Sequence, residues 1–226
     1  MAGKETHHRA ARAGLNVRSV TAPMDTILIH GMARTRASLL LLSFRLRRAG
    51  HRVHFLDYVP ALESLEQVSS RLANLVARKI QPRPYAVVTH SLGSVIVRHA
   101  LPRLADHPPR AAYFLAPPMI ACRAAKFFLR FRLYRMLTRQ MGALLAQDEF
   151  MSRLPIPRKT RIYVGTAGPR LRWLPFGHEV NDGVLLASEA LGDGTAQVQM
   201  VRSSHTMIMN RRAVAEDIAA SLAALG

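Results

Sequence analysis

Tyr85-Ala86-Val87-Val88-Thr89-His90-Ser91-Leu92-Gly93-Ser94-Val95-Ile96-Val97-Arg98-His99-Ala100-Leu101 is the stretch that decides how this chain is read. The apolar run 85–88 has β character, and the residues from Ser94 onward have helical character. Strand, tight turn and helix in succession can hold a serine on a strained elbow with its Oγ exposed. Such a turn presses backbone against backbone, so it needs small neighbours. Gly93 supplies one, two residues after Ser91, whereas Thr89 stands where glycine is usual, two residues before it. The competing reading of these residues is an ordinary strand-to-helix turn.

A serine hydroxyl at its free pKa is a poor nucleophile and needs a base, which in turn needs an orienting acid. Asn181-Asp182-Gly183 is a turn signal from which a carboxylate can project. His205, in Ser203-Ser204-His205, follows the alternating run 196–201 and precedes a helical pattern over 213–218. Near the start, Ile27-Leu28-Ile29 reads as a buried strand and leads into His30-Gly31-Met32-Ala33-Arg34-Thr35. Acyl transfer needs backbone N–H donors for the developing oxyanion. The residue after the serine, Leu92, and the early loop, at Met32, are placed to supply them. Gly31 permits the tight backbone there, although a plain strand-end glycine is the alternative.

Together these motifs resemble those of the small bacterial α/β-hydrolases of the lipase/esterase type. The resemblance runs from about Thr26 to the C-terminus and rests on Leu28 to Thr35, Thr89 to Gly93, Phe114-Leu115-Ala116-Pro117-Pro118, Asn181 to Val184 and Ser204-His205-Thr206. It implies Ser91 as nucleophile, Asp182 as acid and His205 as base; no cofactor is expected beside them and no metal is assigned. It further implies a small-molecule ester or lipid as substrate, cleaved through an acyl-enzyme. Met119-Ile120-Ala121-Cys122 departs from the Asn-Gln-Gly-Ser type of sequence found here in such relatives, a departure that bears on substrate preference.

The rest of the chain agrees with an α/β fold. Apolar segments over 27–29, 51–58, 85–88, 111–115, 161–166 and 196–201 read as strands. Amphipathic patterns over 38–49 and 65–80 read as helices between them. This alternation predicts the α/β-hydrolase fold, a mostly parallel sheet with helices on both faces. Residues 118–157 interrupt it as a small cap insertion. Within them, Arg123 to Leu137 reads as a helix whose Phe127, Phe128, Phe131, Tyr134 and Leu137 share one broad face edged by Lys126, Arg130 and Arg132. Such a helix can pack on the core, cover an acyl pocket or lie on an anionic membrane.

Two hundred and twenty-six residues suit one domain over 23–226. With 49% hydrophobic and 20% charged residues the chain is globular rather than disordered. The single cysteine, Cys122, reads as a small buried residue and fits a reducing, cytoplasmic setting, with peripheral membrane contact left open. No apolar run is long enough to span a bilayer. Residues 1–22 are basic and lack an apolar core, so they read either as a tail or as sequence upstream of a natural start at Met24. A net charge of +18 invites nucleic acid as a rival partner, because phosphate neutralisation needs only cations. No zinc-finger spacing or aromatic stacking set accompanies it. The histidines at 7, 8, 51, 54, 90, 99, 107 and 178 form no metal-ligand pattern. The remaining alternatives are acyl transfer on the same three residues and a non-catalytic basic binding module.

Overall fold

Six short apolar runs pair into one sheet: β1 (Asp25–Ile29), β2 (Arg52–Leu56), β3 (Tyr85–His90), β4 (Ala111–Leu115), β5 (Thr160–Gly165) and β6 (Gln197–Val201). All five pairings are parallel, in the order β2-β1-β3-β4-β5-β6. The computed structural model describes residues 23–192 and 194–225. The tail or displaced start expected over residues 1–22 lies outside them.

The central strands are apolar throughout because both sheet faces are covered. Alternate residues serve opposite layers. Leu28, Val88, Tyr113 and Tyr163 pack with α1 (Leu40–Arg48) and α8 (Arg212–Ala223). Ile27, Ile29, Val87, Phe114 and Ile162 pack with α2 (Leu65–Leu75) and α3 (Leu92–Ala100) on the other side. Ser64 begins α2 with a capping box shared with Gln67. The expected strand over 51–58 is shorter in fact, because Tyr58 leaves it to stack on His30 at 4.3 Å and donates its hydroxyl to the His30 carbonyl oxygen at 2.8 Å.

Between β4 and β5 the chain runs through α4 (Arg123–Phe128), α5 (Arg132–Leu144) and α6 (Asp148–Arg153). The single helix expected over 123–137 is therefore broken, with a turn from the Phe131 N–H to the Phe128 carbonyl at 3.0 Å. A straight helix, turning about 100° per residue, would spread these aromatic rings over one broad face. The break instead gathers Phe127, Phe128, Phe131 and Tyr134 into one cluster with centroids 5.3–6.3 Å apart. A second interruption falls at Arg139 (φ 44°, ψ −131°), inside α5.

Buried Arg98 on α3 fastens both ends of this segment. Its guanidinium donates to the carbonyl of Met119 at 3.0 Å and to those of Met151 and Leu154 at 3.0 and 2.7 Å. Glu189, buried on α7 (Ala187–Leu191), accepts from the Arg123 N–H at 2.6 Å and the Leu186 N–H at 2.9 Å. Its burial raises the carboxyl above its ordinary value. No helix among the described residues is long and apolar enough to cross a membrane.

Candidate active site

The topology prepares a crevice. From β1 the chain crosses to β2 on one side, and from β3 it crosses to β4 on the other, so the loops after β1 and β3 part from each other. Open parallel sheets bind ligands at such a switch point, beyond the carboxyl ends of the strands.

Ser91 lies at that point, alone between β3 and α3, with φ 50° and ψ −119°. This backbone conformation is uncommon for a residue with a Cβ. The surroundings enforce it. A Cβ on Gly93 would come within 2.7 Å of the Ile29 carbonyl oxygen, so the helix can approach β1 only with glycine there. The Ser91 N–H donates to the Leu115 carbonyl, and the Ser91 carbonyl accepts from the Ser94 N–H and hydroxyl. Thr89, the departure from the usual pattern, is fully buried in β3; its hydroxyl has no partner among the described residues, yet the elbow forms.

Asp182 and His205 come together as a buried pair. His205 Nδ1 donates to Asp182 Oδ2 at 2.7 Å, and the His205 backbone N–H donates to the Asp182 carbonyl at 2.8 Å. The other carboxylate oxygen, Oδ1, accepts from the N–H groups of Val184 and Leu185 at 2.9 and 2.7 Å. These three hydrogen bonds, shared between both oxygens, hold the carboxylate in one orientation. Asn181 shapes the loop around it, accepting from the Gly183 N–H and donating to the carbonyls of Pro169 and Glu179. Gly165 and Gly168 leave room for this loop, since a Cβ at either would press on Asp182 or Asn181.

The loop after β1 closes the third side. A Cβ on Gly31 would lie 3.0 Å from the Ser91 Cβ and 2.6 Å from His90 Nδ1, which measures how closely the loop covers the elbow. Ala33 turns it with φ 54°. Leu92 opens α3, where a helix leaves its first N–H groups without internal partners. Ser91, His205 and Met32 all line a cavity of about 520 Å³ whose remaining wall is mostly apolar, including Ala125, Phe128 and Leu145 from the β4–β5 segment. Among the described residues Ser91 and His205 share no hydrogen bond; they meet at the cavity surface.

His90 plays a part that its sequence position did not disclose. Its Nε2 donates to the His205 carbonyl at 2.9 Å and its ring lies 4.8 Å from the His205 ring. Burial, reinforced by His205 beside it, holds His90 well below the ordinary histidine pKa, so the ring is neutral. Cys122 also lines the cavity, and its burial pushes the thiol far above its ordinary range, so it stays protonated. His178 is exposed and takes no part. No group of three or more metal-ligating side chains forms among the described residues.

No protein-family model matches the sequence, and no curated protein matches it either. Solved structures do. The chain superposes on the lipase BlEst2 of Bacillus licheniformis with a TM-score of 0.73 at 16% identity, over 89% of this chain and 92% of that one. The fold is that of an α/β-hydrolase. The metagenomic carboxyl esterase MGS0156 matches at a TM-score of 0.67 and 16% identity, over 91% of this chain and 75% of that one. Phospholipase PlaB of Legionella pneumophila matches at 0.60 and 15%, over 74% of this chain and 45% of its own length.

Proposed function

We propose that this α/β-hydrolase-fold protein is a serine hydrolase cleaving carboxylic esters of small molecules or lipids. The observation that carries the reading is the strained Ser91 elbow opening on the same apolar cavity as the Asp182–His205 pair, held at 2.7 Å. Its solved neighbours, described as a lipase, a carboxyl esterase and a phospholipase, support the same class.

In this reading His205, held in one tautomer by Asp182, takes the Ser91 proton as Oγ attacks the ester carbonyl. The amides of Met32 and Leu92 receive the oxyanion. The imidazolium then gives its proton to the leaving alcohol, and water, activated by His205, clears the acyl-enzyme. Transfer to another alcohol or amine uses the same groups. The 118–157 segment acts as a cap over the acyl site.

The test is hydrolysis of p-nitrophenyl esters from acetyl to palmitoyl by wild type and Ser91→Ala. The substitution is expected to lower kcat by at least about 10³-fold without altering the circular dichroism spectrum. An unchanged rate would remove Ser91 from the mechanism.

A second reading, contact of this cap with an anionic membrane, is favoured by one surface. Leu133, Met136 and Leu137 are 63%, 63% and 55% exposed, among Arg130, Arg132, Arg135 and Arg139. Basic amphipathic faces of this kind sit at lipid interfaces. Sedimentation with anionic vesicles at low salt tests it, and recovery of the protein in the supernatant would reject it.

A further inference from the structure

The loop after β1 carries two arginines with different fates. Arg36 finds a carboxylate, Asp57, at 3.3 Å. Arg34 makes no hydrogen bond or ion pair among the described residues, although it is only partly exposed and lines the cavity beside Ser91. Among the described residues it is the one permanently charged side chain in that lining, and no carboxylate faces it there. Asp182 lies behind His205 with both oxygens occupied. The charge of Arg34 nonetheless reaches the interior, where it adds to the lowering of the His90 pKa.

An uncompensated guanidinium in a mostly apolar cavity is an unusual arrangement. Partial burial costs the cation some hydration, and a low-dielectric wall strengthens any charge brought near it. A neutral ester offers the guanidinium nothing to offset that cost. A carboxylate or phosphate offers paired oxygens that match its planar donors. The two walls therefore ask for different chemistry: Ala125, Phe128 and Leu145 for an apolar chain, Arg34 for an anion.

We infer that Arg34 is an anion-recognition residue, and that the cavity takes an amphiphilic ester bearing both an apolar chain and a carboxylate or phosphate. The inference rests on the ester-hydrolase reading for its chemistry, but not for its binding.

Two matched substrate pairs locate the anion. Mono-p-nitrophenyl glutarate against p-nitrophenyl valerate places a carboxylate in the acyl half. Octanoyl glycerol phosphate against octanoyl glycerol places a phosphate in the alcohol half. The wild type is expected to favour the anionic member of at least one pair in kcat/KM, chiefly through KM, and less so as salt is added. Arg34→Gln is expected to lower that anionic-to-neutral ratio by about 10- to 100-fold, and Arg34→Lys to keep part of it. A ratio unchanged by Arg34→Gln, or a wild type preferring the neutral member of both pairs, overturns the inference.

Binding of decyl phosphate and of decanol to the Ser91→Ala protein, measured by calorimetry, separates this inference from the hydrolase reading. Decyl phosphate bound in an Arg34-dependent manner, with no ester hydrolysed by the wild type, upholds the anion site and discards the hydrolase reading. Neutral esters hydrolysed, with decyl phosphate bound no better than decanol or equally by Arg34→Gln, does the reverse.

Discussion

Ser91 occupies a backbone conformation that costs about 1–3 kcal/mol for a residue with a side chain, and its neighbours are shaped to hold it there. Gly93 is the more demanding of them. An added Cβ meets the Ile29 and His30 carbonyl oxygens at 2.7 and 3.1 Å, and main-chain atoms cannot swing aside as a flexible side chain would. Gly93→Ala is therefore expected to push α3 from β1, cost about 2 kcal/mol of stability and displace the Leu92 N–H, with activity falling further than stability. Thermal unfolding and ester turnover measured together check this. Thr89 has the opposite sign. Its buried hydroxyl has no partner among the described residues, and an unsatisfied polar group of that kind costs about 1–3 kcal/mol. Thr89→Val keeps the branched shape and removes the polar atom, so the melting temperature should rise by a few degrees; a fall would mean that the hydroxyl is satisfied in solution. The elbow was legible in the sequence despite Thr89, because what it requires of the chain is the close approach at Gly93.

At the scale of elements, strands and the helices between them were written in periodicity, since each central strand must be apolar on two covered faces. The placing of Asp182 and His205 after β5 and β6 could be read in the same way. What could not be read were contacts made at long range by single polar side chains. Arg98 falls in a stretch whose sequence shows only helical character, yet it is buried and bonds carbonyls at both ends of the three-helix segment. His90, next to the serine, anchors the loop that carries His205. The break between α4 and α5 was equally hidden, because the aromatic residues fit a straight helix as well as a folded one. Arg98→Met fills a similar volume but leaves several buried carbonyls without a donor. It is expected to cost about 3 kcal/mol and to loosen residues 118–157 before the sheet. Limited proteolysis should then nick that segment in native buffer, while unfolding by urea should show the lower midpoint; uniform destabilisation with no local cleavage would contradict a fastening role.

For the whole molecule, the question posed by a net charge of +18 is where the cations go. Several are structural donors: Arg45 to the Asn210 carbonyl, Arg47 to the Val53 carbonyl and Arg161 to Asp217. At the end of the sheet remote from Ser91, Asp25 is fully buried and collects Arg52 at 2.7 Å, Arg83 at 2.9 Å and His54 at 2.7 Å. Burial alone would raise its carboxyl, but hydrogen bonds from Arg52, then Arg83 and His54, outweigh it and hold the group well below the ordinary carboxylate range. A folded-state pKa below the unfolded value of about 3.9 means that the unfolded chain takes up the proton first. The stabilisation is therefore present above about pH 4 and is lost as pH falls toward the folded-state value. Asp25→Asn should lower stability at pH 7 by about 1–2 kcal/mol, the screening of the half-exposed arginines being allowed for. It should also flatten the decline of stability between pH 5 and 3. Urea titrations across that range check both effects. Parallel curves for the two proteins would mean that acid sensitivity resides in carboxylates other than Asp25.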